Sequence, residues 1–250
     1  MRVVRPNFDN KCAWALRAFR QAFRFVGMIL LAALCWHGAS GKQPAGEPRA
    51  AFPSQAGVSH DGATITFRKV FKTSYPEFVE IKVNGSGAGT LDARQLDEDP
   101  NPQPFMIGAP VVQKIFDLAD KLHDFQGIDL EVHRRLANLG EKTFFYQKGS
   151  EAHEVTFNYT IDTSANQLLS IFDSITRQET DLADLKRTMR YDHLGVNDVL
   201  IQIETDYNSK LLPEPERFLP TLDQLAADEK FIDMARQRAR TLSGRIQASN

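Results

Sequence analysis

The chain has 250 residues, 30 basic and 32 acidic side chains, a net charge of −2 and two cysteines, Cys12 and Cys35. Both cysteines fall within the first 40 residues, so a chain processed behind them has no thiol, which excludes disulfides, cysteine zinc sites and cysteine nucleophiles. The remainder would carry 24 basic against 31 acidic groups, net −7, which argues against a nucleic-acid partner, because phosphate contacts need a basic footprint.

The first 40 residues read as a secretory signal. Arg2, Arg5, Lys11, Arg17, Arg20 and Arg24 precede an apolar run from Phe25 to Trp36, and His37-Gly38-Ala39-Ser40-Gly41 supplies small residues for cleavage near 39–41. The run is shorter than the roughly 20 residues that a spanning helix needs. A lipid on Cys35 is disfavoured because bulky Leu34 precedes it. The alternative is a membrane anchor over residues 25–36, with the arginines on the headgroups. The expected location is periplasmic or secreted, with membrane contact only through an uncleaved signal segment.

From residue 41 to 62 the chain is rich in Pro, Gly, Ala and Ser without apolar periodicity, the pattern of a flexible tether. Alternation in "ATITFRKVF", with Ile65 and Phe67 on one face, predicts a first strand. "EFVEIKVN" predicts a second through Val79, Ile81 and Val83. Asn84-Gly85 marks a tight turn into "GAGTLDAR", and the acidic loop "LDEDPNPQP" closes the meander. Pro110 opens a helix with Val111, Ile115, Leu118 and Leu122 as its stripe. "IDLEV" predicts a further strand, followed by a turn at Asn138-Leu139-Gly140. A second antiparallel set then holds "KTFFYQ" and "HEVTFNYT", with Val155, Phe157 and Tyr159 on one face.

Beyond Asp162 the period becomes helical. Ser164-x-x-Gln167 predicts a capping box, ahead of Leu168, Phe172, Ile175, Leu182, Leu185 and Met189. Gly195 ends that helix, and a second, capped by Asn197, carries Leu200, Ile203, Tyr207 and Leu211. A third spans Leu222 to Leu242, with Thr221-x-x-Gln224 as its cap and its arginines towards the carboxyl end. The expected architecture is α+β: an antiparallel sheet with one packed helix, then a helical region of about three helices. The domain plan is 1–40 signal, 41–62 linker, 63–162 α+β domain and 163–247 helical region packed on it.

"RRLANLGEKTFFYQKG", "HEVTFNYT" and "DLKRTMRYDHLGVND" resemble an exported bacterial family of uncharacterised function, over about Thr64 to Leu242. "SYPEFVEIKVNGSGAGT" within this range resembles a small β-hairpin module. The resemblance implies a shared fold and assigns no catalytic residues.

"NGSGAG" at 84–89 lacks the following helix and the lysine of a phosphate loop, so it reads as a hairpin. Asp97, Glu98, Asp99 and Asn101 have calcium-type oxygens without the binding-loop pattern. The sharpest candidate is residues 123–133. On a strand, Asp129, Glu131 and His133 would share one face, and with His123 or Asp124 they form a candidate metal set able to activate a water for hydrolysis. The same alternation describes a plain half-buried strand. His153 and His193 read as ordinary junction residues. The Phe144, Phe145, Tyr146, Phe157 and Tyr159 group reads as core on one face and as a contact patch on the other if no helix covers it. No cofactor motif is present, and no Gly-x-Ser-x-Gly elbow marks a serine hydrolase. The sequence therefore points to an exported module that binds or scaffolds in the envelope, its partner another envelope protein. A metal-dependent hydrolase using 123–133 is the alternative.

Overall fold

The computed structural model describes residues 60–249; the expected signal and most of the expected tether lie outside them. Among the described residues six strands form one antiparallel sheet: β1 (Ala63–Val70), β2 (Phe78–Asn84), β3 (Ala88–Arg94), β4 (Gln103–Met106), β5 (Glu141–Lys148) and β6 (Glu151–Phe157). The spatial order is β4-β3-β2-β1-β5-β6. The second antiparallel set is thus a continuation of the first, because β1 pairs with β2 on one side and β5 on the other, Phe67 lying opposite both Ile81 and Phe144.

The alternation read from sequence fixes which face is buried. Ile65, Phe67, Val79, Ile81, Val83, Phe144, Val155 and Phe157 all point into the core. Helix α1 (Ala109–Lys121) lies on that core through Val112, Ile115, Phe116, Leu118 and Ala119, with Pro110 in its first turn as expected. The β2–β3 turn is the glycine-rich hairpin: Asn84 Oδ1 accepts from the Ser86 and Ala88 amides at 3.0 and 3.1 Å. Gly87, at φ +88°, takes a conformation costly for a side chain there.

Helix α2 (Thr163–Tyr191) has 29 residues, roughly 43 Å at 1.5 Å per residue, and belongs to two apolar clusters. Its first half places Ala165, Leu168, Phe172 and Ile175 on the sheet. Phe172 stacks on Phe67 at 5.2 Å between ring centroids and meets Phe144 at 6.3 Å. Its second half places Leu182, Leu185 and Met189 among α3 (Val196–Asn208), α4 (Leu219–Ala227) and α5 (Asp233–Ser249). The helical region therefore holds four helices rather than about three. The expected third helix breaks after Ala227, where Asp228 is extended and its Oδ1 accepts from the Lys230 amide at 3.1 Å, turning Phe231 inward.

The caps also differ from expectation. Asp162, rather than Ser164, caps α2, its carboxylate accepting from the Ala165 amide at 2.8 Å. Gly195 occupies the cap position of α3, and Asn197 instead accepts from Arg238 at 3.2 Å. Thr221 is buried inside α4. Glu214 ties the two clusters together: its own amide donates to buried Gln178 Oε1 on α2 at 2.8 Å, and its Oε1 accepts from the Gly108 amide at the start of α1 at 2.5 Å. No helix among the described residues is long and apolar enough to cross a membrane.

Candidate functional site

The segment Ile128–His133 is not a strand. It runs beside the end of β6, where Val132 donates to the Tyr159 carbonyl at 3.0 Å. The Glu131 carboxylate takes the Asn158 amide at 2.5 Å, a side chain doing what a ladder partner would do. Leu130 is buried and Asp129 and His133 are exposed, but Glu131 and Val132 are both half-buried, so the expected alternation holds only in part and no ladder forms.

The four metal candidates do not come together. Asp129 and His133 form an exposed ion pair, Nε2 to Oδ2 2.7 Å, with 67% and 75% of their side chains in solvent. Their hydrogen bond lowers the Asp129 pKa and raises that of His133. Glu131 is committed to Asn158. His123 sits in a one-turn 3-10 segment (His123–Phe125) at the end of α1, with left-handed backbone at φ 52°. Among the described residues no three His, Cys, Asp or Glu side chains are placed to hold a metal ion. The acidic loop is likewise organised by protein groups: Arg94 donates to the Gln95 and Glu98 carbonyls at 3.2 and 2.8 Å, and the Glu98 carboxylate accepts from the Gln95 amide at 2.8 Å.

That loop forms one wall of a cleft of about 620 Å³ between the β3–β4 end of the sheet and α2. Leu91 and Phe105 from the sheet and Leu182 from α2 line its floor, with Ala183 at the lip. Asn101 and Gln103 bring amides, while Arg94 and Lys186 oppose Glu98, Asp99, Glu179 and Asp184. Several of these charges are held in place. Arg94 pairs with Asp92 at 3.0 Å and lies over the Phe78 ring at 4.4 Å. Glu179 is gripped by both terminal nitrogens of Arg217. An apolar floor under a few fixed polar groups, at this volume, is the usual build of a small-ligand site. The sequence signal for it was divided: the acidic loop and the α2 stripe were both visible, but nothing local brings residues 91–105 to residues 179–186.

A second group of titratable residues gathers where α1 ends against the β5–β6 hairpin. His60 stacks on Phe116 at 4.4 Å, and His153 stacks on its cross-strand partner Tyr146 at 6.4 Å. His60 Nε2 and His153 Nδ1 are buried without hydrogen-bond partners among the described residues. Burial, then the charges of Asp120 and Glu151, raises the Asp124 pKa. Burial, then Asp124, raises that of Tyr146. Nothing in the spacing of His153 links it to residues 60 and 124, so the sequence alone gives it only an ordinary strand-start role.

On the open face of the sheet Phe145 is the one aromatic ring lining a shallow depression of about 310 Å³. Thr64, Thr66, Thr143 and the Arg68–Glu80 pair surround it. The expected aromatic contact patch reduces to this ring. Tyr159 lies past the end of β6 and is 42% exposed. Comparison of the chain with protein-family models and with curated proteins gives no match.

Proposed function

We propose that this is an exported bacterial protein that works by binding in the cell envelope, with the cleft between β3–β4 and α2 as its ligand site. The observation that carries the reading is the cleft itself, where Leu91, Phe105 and Leu182 form an apolar floor beneath amides and fixed charges of both signs. That combination suits a short peptide segment: apolar side chains enter the floor, and Asn101 and Gln103 meet its backbone amides. Its lining supplies contact area and charge rather than a nucleophile paired with a base. The basic and apolar pattern of residues 1–40 and the resemblance to an exported family support the envelope location. The metal-dependent hydrolase draws no support from the arrangement of Asp129, Glu131, His133 and His123.

Intact mass and metal content of the chain recovered from the envelope of its own host test this reading. A chain beginning near residue 40 or 41 without stoichiometric metal is expected. A full-length mass would make residues 25–36 an anchor, and one metal ion per chain would overturn the non-catalytic reading.

A further inference from the structure

Where α2 passes from one apolar cluster to the other, two carboxylates meet. Asp206 of α3 has 3% of its side chain exposed and accepts from Gln202 Nε2 at 2.8 Å. Asp181 of α2 lies within hydrogen-bond reach of it, and its Oδ2 is buried without a donor among the described residues. The two helices contribute Leu182 and Leu185 of α2 and Leu200 and Ile203 of α3 to one apolar cluster. The charged groups facing Asp181 are Asp206 from α3, and Arg177 and Asp184 from its own helix. Arg177 is the only cation in this set. It is half exposed and reaches Asp206 only at 3.4 Å.

Two adjoining carboxylates in a poorly hydrated seam cannot both ionise cheaply, and a proton held between them turns repulsion into a hydrogen bond. We propose that the Asp181–Asp206 pair is a proton-held clasp that closes α2 on α3 when protonated and loosens the seam when it ionises. Burial, followed by the Asp206 charge, pushes the Asp181 carboxyl up to about 7, so the clasp changes state near neutral pH. The sign follows from proton binding. The closed seam binds a proton that the opened, solvated carboxyl has already released above its ordinary range near 4, so closure weakens as pH rises from about 4 to about 7 and is level above that. The inference stands on the α2–α3 packing and does not depend on what occupies the cleft.

Amide hydrogen exchange of the whole chain tests it, read at the core amides of α3 after correction for the intrinsic pH dependence of exchange. Protection of Leu200 and Ile203 is expected to fall about tenfold or more between pH 5 and pH 8.5. Asp181→Asn keeps a donor facing Asp206 without a charge, so it is expected to hold the low-pH protection across the range. Protection in the unaltered chain that does not change with pH, or a pH dependence that survives in Asp181→Asn, would overturn the clasp. If that variant does not fold, carbon-13 titration of the Asp181 carboxyl in the unaltered chain decides: a midpoint near neutrality supports the clasp, and one near 4 refutes it.

Discussion

Replacing Glu214 probes the tie between the sheet and the helical region. Its carboxylate is almost fully buried and accepts from the Gly108 amide at 2.5 Å, at the amino-terminal end of α1. A hydrogen bond to a charged acceptor contributes about 1.5–3 kcal/mol, and a negative charge at a helix amino terminus adds about 0.3–1 kcal/mol. Glu214→Ala removes both and leaves the exposed Gly108 amide to solvent, so a loss of about 2 kcal/mol is expected in urea unfolding followed by circular dichroism. Glu214→Gln keeps an acceptor of the same reach and forfeits only the charge, so about 1 kcal/mol is expected. The ordering of the two variants matters more than either value. Equal losses, or a loss below about 0.5 kcal/mol for Glu214→Ala, would refute the role given to this contact.

Three further outcomes follow from the packing. Phe172→Ala empties the seam between α2 and the sheet and is expected to cost about 3–5 kcal/mol in the same unfolding assay. Asp162→Ala removes the cap of α2 and is expected to cost about 1 kcal/mol, whereas Ser164→Ala is expected to stay within about 0.5 kcal/mol. The Asp129–His133 pair stabilises the imidazolium, so the His133 midpoint by proton NMR is expected to drop in Asp129→Asn; an unchanged midpoint would mean that the pair does not form in solution.

Much of the fold was legible because single residues carried the signal. Period-two alternation at Ile65, Phe67, Val79, Ile81 and Val83 places those side chains on the buried face, and Asn84-Gly85 announces the hairpin. The 3/4 spacing from Leu168 to Met189 delivers α2 and its buried stripe. What failed was whatever depends on distant partners. The "IDLEV" alternation holds only at Asp129 and Leu130, and Glu131 satisfies the Asn158 amide in place of a ladder. The α4–α5 break has no Gly or Pro and turns instead on the Asp228 carboxylate and inward-facing Phe231. The expected Ser164 cap lies two residues past the actual cap, Asp162, and Thr221 lies inside a helix, because several Ser, Thr and Asp residues compete for the same role. The cleft was invisible for the same reason as the Asp181–Asp206 pair: each joins segments more than 20 residues apart in sequence. Only the completed sheet and the length of α2 bring them together.

The binding reading is tested most directly by amide NMR of the folded chain titrated with a library of randomised short peptides. The account predicts shifts concentrated at Leu91, Phe105, Thr180 and Ala183, and their loss in Ala183→Trp, which fills the cleft from an exposed helix position without entering the core. An absence of shifts in the cleft, or shifts elsewhere that persist in Ala183→Trp, would contradict it.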